Sequence, residues 1–340
     1  MKTNPLAATP NAFNRKADVN DAGLGPLAAL ANGNQWIGDT GFNLMVVPRP
    51  EVGFLVMISP LFETHHFEVS ASAPNRSAQH GTAQNTAIKY SQTVAEKNSK
   101  NILHEENGMW LNQTPGTLAE DCSGYGLQHV DPATTREYLS NNPLLRSGTI
   151  PHGNTIHAIG NWSAADLTPP ASGDVQPFIK LANFQNNGST LEFLPMYADG
   201  SDPTDLHAAY VRQIKQALEV VGRSDLSYEE FINPIGLLNA QAKDVTHAVS
   251  MAVTTENDHG GVLNVPFERA FAHPRAFICT FMIETVLTPG FKGNASPAAD
   301  ERSTFMQLQY LQSIPMFIPK GFNGKDVIFP HWNVNTLIAV

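Results

Sequence analysis

The chain has 340 residues, a formal net charge of −10 and a sequence pI of about 5.6. It has no cluster of Lys and Arg of the kind that follows phosphates, so we expect no nucleic-acid partner. Hydrophobic residues make up 42% of the chain. No apolar run approaches the roughly 20 residues of a membrane helix, so we expect a soluble protein without a membrane partner.

The first residues predict a flexible N-terminal arm over 1–23, followed by one folded domain over 24–340. The arm is rich in Asn, Ala, Asp and Lys and lacks the apolar core of a secretory signal. We therefore expect a cytoplasmic protein, in which Cys122 and Cys279 stay reduced. Cys279 lies in an apolar stretch, where a small buried side chain is expected.

Residues 41–160 predict a series of short β-strands. Strand-like runs alternate with Pro, Gly, Asn or Asp, and the turn signal Asn107-Gly108 predicts a type I′ hairpin between runs 102–106 and 109–113. Residues 84–98 fit either a strand or a short helix. Many short strands at this spacing favour an antiparallel barrel or sandwich.

Residues from about 200 to 234 predict a helical insertion. Asp202-Pro203 precedes a run whose apolar residues repeat every 3.6 positions, as expected of a capped amphipathic helix. Ser227-Tyr-Glu-Glu230 is a capping box that predicts a second helix, which ends before Pro234.

Strands are predicted again at 245–255, 262–267, 276–287 and 304–318, and in the final segment 327–340. This last segment reads VIFPHWNVNTLIAV. Because side chains alternate along a strand, Phe329, His331, Asn333 and Asn335 should share one face. Pro330 should interrupt the pairing, so the regular strand is expected to begin near His331.

Four segments together resemble the nitrobindin-type heme-binding barrels. They are Trp36 with its closely spaced glycines, the segment ILHEENGMWLN at 102–112, Leu308-x-Tyr310, and Pro330-His331 in the final strand. The resemblance implies a mainly β, calycin-like antiparallel barrel that is closed by its first and last strands. An alternative arrangement has two barrel halves, at 24–165 and 166–340.

The resemblance also implies a set of site residues. His331 would be the axial ligand of heme b, and Phe329 would contribute apolar surroundings. Trp36, Gly38 and Gly41 would lie against the cofactor, since glycine lets a flat molecule approach the backbone. Alternatively, these three residues relieve crowding at a barrel corner.

Two further histidines are candidates for the opposite side of a bound heme. His152 could donate a hydrogen bond to a bound ligand or act in acid–base catalysis, although its turn also fits simple exposure. His104 precedes two glutamates and is expected at the surface.

The resemblance thus implies a heme protein that binds or detoxifies nitric oxide, peroxynitrite or peroxide, with or without peroxidase or peroxynitrite isomerase-like turnover. The heme would be held without thioether bonds, because no Cys-x-x-Cys-His occurs. A metal-free calycin-like carrier of a hydrophobic small molecule is the alternative. A structural β protein that forms a homo-oligomer is a third possibility.

Overall fold

The protein is described by a computed structural model over residues 23–49, 51–70, 73–74, 83–115, 141, 143–167, 193–241, 245–256, 260–287 and 304–340. Residues 1–22, Cys122 and residues 126–130, which belong to the series of strands predicted over 41–160, lie outside this part. The helices are α1 (Leu27–Gly33), α2 (Thr204–Val220), α3 (Tyr228–Phe231), α4 (Pro234–Asn239) and α5 (Pro266–Phe271).

The strands of the first half are β1 (Gln35–Gly38), β2 (Phe42–Arg49), β3 (Gly53–Val69), β4 (Ala73–Pro74), β5 (Ala83–Glu96), β6 (Ile102–Pro115), β7 (Leu144–Ile150) and β8 (Asn154–Asp166). Those of the second half are β9 (Met196–Tyr197), β10 (Val245–Thr254), β11 (Gly261–Asn264), β12 (His273–Pro274), β13 (Ile278–Leu287), β14 (Thr304–Ser313), β15 (Met316–Phe322), β16 (Lys325–Phe329) and β17 (Trp332–Ala339).

Ten antiparallel strands close a barrel in the order β3-β2-β17-β14-β13-β10-β8-β7-β6-β5, with β5 paired to β3. Both β1 and β2 lie between β3 and β17, one at each end of β17. The predicted barrel, closed by its first and last strands, is therefore confirmed, and both halves of the chain contribute strands to it.

The side chains of β17 point alternately into two hydrophobic cores, one inside the barrel and one outside it. Leu337 and Ala339 pack among the residues of the barrel interior. Trp332 and Val334 pack in a second core, between the barrel wall and the helices. The face predicted from the alternation of the final segment is thus the inner face of the barrel.

Helix α2 covers the outside of the barrel wall. Its buried residues Leu206, Tyr210, Ile214 and Leu218 recur at helical spacing and form one apolar stripe. Gln213 ties the helix to β3, because its amide accepts from Val56 N and donates to Phe54 O, both at 2.8 Å. No helix in the described ranges has the length and apolar character that a membrane span needs.

Three segments differ from the sequence expectation. The capping box of Ser227 forms as predicted, but Asn233 then caps a further helix, α4, with Pro234 in its first turn. The predicted strand 262–267 ends early, because Pro266 begins α5. The predicted strand 304–318 is divided into β14 and β15, which lie in different sheets.

The predicted hairpin at Asn107-Gly108 is wrong. Strand β6 runs through both residues, and Asn107 lies opposite Ser91 on β5 and Thr149 on β7. A Cβ atom on Gly108 would lie 2.0 Å from the Ser147 carbonyl oxygen, so the glycine permits close strand approach rather than a turn. The ambiguous segment 84–98 is a strand as far as Glu96, because β5 spans Ala83–Glu96.

Candidate functional site

A cavity of about 500 Å³ opens at the end of the barrel where β17 begins. Its volume lies within the range of roughly 300–1,000 Å³ that is typical of small-molecule sites. The lining is mostly apolar and includes Met45, Met57, Val94, Leu103, Ile150, Ile156, Val262, Phe267, Phe277, Ile314 and Met316. Its polar members are Asn43, Ser59, His104, His152, Asn154, Glu268, Gln312, His331 and Asn333.

His331 lies in the cavity wall at the break between β16 and β17. Its carbonyl oxygen accepts a hydrogen bond of 2.7 Å from Ile314 N, which fixes the backbone. Its Nε2 is buried and has no hydrogen-bond partner within the described part of the chain. Burial, together with nearby His104 and His152, lowers the pKa of His331 to about 4. At neutral pH the imidazole is therefore uncharged, which is the form that binds a metal.

Three carboxamides form the next row inward from His331, and we call Asn43, Asn333 and Gln312 the amide row. Asn333 lies directly opposite Asn43 on β2 and Gln312 on β14. All three line the cavity. Cross-strand register thus gathers them on one patch of the inner wall, although they come from distant parts of the sequence.

His104 and His152 contribute imidazoles to another side of the cavity, and their ring centroids are 5.6 Å apart. His152 is exposed in the turn before β8. The expectation that His104 lies at the surface is wrong, because its side chain is only 15% exposed. Its Nε2 is 3.4 Å from Glu106 Oε2, so His104 connects the cavity to the polar groups below it.

Below the amide row, a set of paired polar side chains crosses the barrel; we call it the interior network. It consists of Glu63, His65, Tyr90, Gln92, Glu106, Arg146, Tyr310 and Asn335.

Glu63 is the centre of one half of this network. It contacts His65 Nε2 at 2.6 Å and accepts hydrogen bonds from Gln92 (2.6 Å), Tyr310 (2.8 Å) and Asn335 (2.9 Å). Burial opposes ionisation of Glu63, but His65 and these donors outweigh it and lower the pKa of the carboxyl. Glu63 therefore lies in the barrel as a fully paired carboxylate.

Arg146 is the centre of the other half. It donates to Glu106 Oε1 at 2.9 Å, to the Tyr90 hydroxyl at 3.2 Å and to Cys279 Sγ at 3.1 Å. Burial opposes ionisation of Glu106, yet Arg146, with smaller contributions from His104 and Tyr90, brings its pKa to about 2. Burial raises the pKa of the Cys279 thiol to about 12, so this cysteine is the small, unreactive side chain that was expected.

Trp36, Gly38 and Gly41 do not line the cavity. Trp36 is buried under α1, where its Nε1 donates to Leu30 O at 3.2 Å. A Cβ atom would lie 2.5 Å from the Thr336 carbonyl oxygen at Gly38 and 2.2 Å from the Val334 carbonyl oxygen at Gly41. The two glycines therefore relieve crowding against β17, as in the second interpretation drawn from the sequence.

Phe329 also lies away from the cavity. It is buried in the core outside the barrel, where its ring packs against Phe54 at 4.6 Å and Tyr210 at 6.4 Å between centroids. The Pro330-His331 break separates Phe329 from the inner face of β17, so the expected alternation holds only from His331 onward. Of the predicted site residues, the cavity brings together His331 and His152.

The described residues contain no group of three or more His, Cys, Asp and Glu side chains that could hold a metal ion. His65 and His66 point to opposite sides of β3, one buried and one exposed. A metal bound in the cavity by one of the described histidines would take most of its other ligands from a prosthetic group if it were iron in heme. The apolar lining and the unpaired Nε2 of His331 fit such a group.

Comparisons with known proteins do not assign the chain to a family. No protein-family model matches the chain, and no curated protein matches it either. The crystal structure of Rv2717c from M. tuberculosis aligns over 92% of this chain and 96% of its own, with 10% identity and a TM-score of 0.35. RV0216 from Mycobacterium tuberculosis, a conserved hypothetical protein with a double hotdog fold, aligns over 92% and 78%, with 10% identity and a TM-score of 0.13. Neither likeness is close enough to support a function.

Proposed function

We propose that the chain binds heme b in the cavity through Nε2 of His331 and holds small oxidants such as nitric oxide, peroxynitrite or peroxide there. The observation that carries the proposal is an uncharged imidazole whose buried Nε2 has no partner among the described residues and which lines an apolar cavity of about 500 Å³. An axial histidine in heme proteins needs this combination of a free lone pair and a dry surrounding.

The residues around His331 would have different roles in binding the cofactor. The apolar side chains of the wall would exclude water from the bound cofactor, and the backbone bond from Ile314 would keep the imidazole in place. When bound, ferric heme supplies the iron that binds the oxidant. Among the described residues of the lining, His152 and His104 are the other imidazoles, and they could accept or donate a proton there.

The test is a hemin titration of the wild type, His331→Ala and the control His66→Ala, followed by absorption spectroscopy. His66 is an exposed histidine on the outside of the barrel, so its variant reports adventitious binding. We expect a saturable Soret shift at one heme per chain in the wild type and the control, and its loss or displacement in His331→Ala. If the three proteins bind alike, or none binds, the heme proposal fails.

A metal-free carrier is the second candidate, and the predominantly apolar lining of the cavity favours it. Such a carrier would enclose one hydrophobic molecule in the barrel mouth. Mass spectrometry of the protein as purified distinguishes the two candidates. Protoporphyrin in stoichiometric amount supports the first, and a stoichiometric apolar organic molecule without iron supports the second.

A further inference from the structure

The amide row is an unusual patch for the wall of an apolar cavity. Gln312 is 1% exposed and Asn333 is 5% exposed, so both side chains are removed from bulk solvent. Neither amide atom of Gln312 has a hydrogen-bond partner in the described ranges, and the same holds for Oδ1 of Asn333 and of Asn43. Buried polar groups that go unpaired cost free energy, and they are therefore rare outside functional sites.

The other glutamines of β14 differ from Gln312 because their amide nitrogens have hydrogen-bond partners, although Gln309 Oε1 has none in the described ranges. Gln309 lies on the outer face of the barrel, and its Nε2 donates to Leu238 O at 2.9 Å. The Nε2 of Gln307 donates to Glu284 at 2.7 Å. One strand thus pairs the amide nitrogens of the two glutamines that point outward and leaves the inward-facing Gln312 unpaired.

The charges of the cavity restrict what the row can bind. The described residues of the lining include no Lys or Arg, so a carboxylate or phosphate would find no formal positive charge among them. Among these residues, the one carboxylate is Glu268, which accepts a hydrogen bond of 2.5 Å from Asn154. An ammonium group would satisfy the amide oxygens but could not accept from Nε2 of Gln312. The matching head group must be uncharged and must both donate and accept.

We propose that the amide row is a recognition site for an uncharged, planar head group that donates and accepts hydrogen bonds, such as a carboxamide, a lactam or a nitrogen heteroaromatic ring. The apolar remainder of the ligand would lie against neighbouring wall residues such as Met45, Met57 and Phe277. The inference goes beyond the proposed heme function and does not depend on it, because the proposed axial ligand, His331, is not part of the amide row. It is therefore tested on heme-free protein.

The experiment compares three isosteric probes in ligand-observed NMR titrations: benzamide, benzoate and α-methylstyrene. They share a phenyl ring and differ in a neutral polar, an anionic and an apolar head group. We expect benzamide to bind wild-type protein at least tenfold more tightly than either of the others, because sites built to hydrogen-bond a group reject analogues that lack it. If benzamide has no such preference, or if no probe saturates, the inference is overturned.

Variants then assign the preference to the row. Gln312→Met keeps the length of the side chain and removes both amide atoms, and Gln309→Met makes the same change on the outer face of the same strand. We expect Gln312→Met to weaken benzamide binding about tenfold and to leave α-methylstyrene unchanged, with Gln309→Met matching the wild type. Asn43→Leu, on another strand, provides a second reading if Gln312→Met does not fold. If Gln312→Met folds and still prefers benzamide as the wild type does, the assignment is contradicted. If Gln312→Met does not fold, an unchanged preference for benzamide in Asn43→Leu contradicts it.

Discussion

The interior network and the amide row are adjacent polar layers of one barrel, and they differ in how their atoms are paired. In the interior network, Glu63 and Glu106 have several donors each, and Arg146 has several acceptors. In the amide row, Oδ1 of Asn333 and both amide atoms of Gln312 lack partners in the described ranges. Gln312 is as far removed from solvent as Arg146, each being 1% exposed, so burial alone does not explain the contrast.

This difference separates two uses of buried polarity. Paired groups satisfy one another and select a single arrangement of the strands, whereas unpaired groups hold hydrogen-bonding capacity for something that is not part of the fold. Substitutions in the two layers should therefore change stability in opposite directions, and the largest changes should come from the charged residues.

The largest effect is expected for Arg146→Met. The substitution leaves Glu106 buried beside an apolar side chain, which should lower the free energy of unfolding by about 3–5 kcal/mol. Urea denaturation measures the loss. The double variant Arg146→Met/Glu106→Gln removes both charges and should recover part of it. Asp225→Asn, in the exposed pair with Arg223, is the control and should change little. If Arg146→Met is as stable as the wild type, the interior network does not stabilise the fold.

The next largest effect is expected for Glu284, a buried residue that lies outside both layers. It is 2% exposed on the outward face of β13, and Gln307 donates to it at 2.7 Å. Burial outweighs this bond and raises its pKa from 4.5 to about 7. Since the folded state holds the proton more tightly, this group's contribution to stability is greatest below pH 4.5. That contribution falls as pH rises towards 7, by about 3 kcal/mol in total.

Glu284→Gln keeps the shape of the side chain and removes this titration. We expect the variant to gain stability over the wild type between pH 5 and pH 8, with most of the gain at the higher pH. Urea denaturation at the two pH values provides the measurement. An equal difference at both values would show that Glu284 does not hold a proton in the folded state.

The smallest changes in stability are expected when a glutamine in each layer is replaced by methionine. Gln92→Met removes an amide that donates to Glu63 and accepts from Arg146, so it should cost about 1–3 kcal/mol of unfolding free energy. Gln312→Met removes an amide that has no described partner and should raise stability by about 1 kcal/mol. Chemical denaturation of the pair tests the contrast directly. The same sign for both variants would contradict it.

The sequence predicted those features of the fold that depend on neighbouring residues. The capping box at Ser227 and the alternation from His331 to Asn335 were right, because each depends on positions a few residues apart. The hairpin at Asn107-Gly108 was wrong, since pairing with two neighbouring strands overrode a local turn preference. That pairing involves residues far along the chain and leaves no mark at Asn107 itself.

For the site, the same limit applies. His331 and Asn333 could be placed on one face from their spacing, but Gln312 joins them only through the register of β14 with β17. Glu106 and Arg146 are brought together across β6 and β7 in the same way. A signal was present in each strand, as a polar residue at an inward position among apolar ones, but it did not identify the partner. Phe329 shows the converse, because a proline break ended the alternation that the sequence suggested.

The closure of the barrel by β1 and β17 also has a consequence for how the protein folds. Trp36 pairs with Ala339, so these contacts join residues from opposite ends of the sequence, and pairings of such long range form slowly. Until β17 docks, β1, β2 and β14 present open edges that another chain could pair with. The strand that follows His331 and carries Asn333 is the one that pairs these edges. Aggregation during refolding and loss of the binding cavity should therefore share one cause, a failure of β17 to dock.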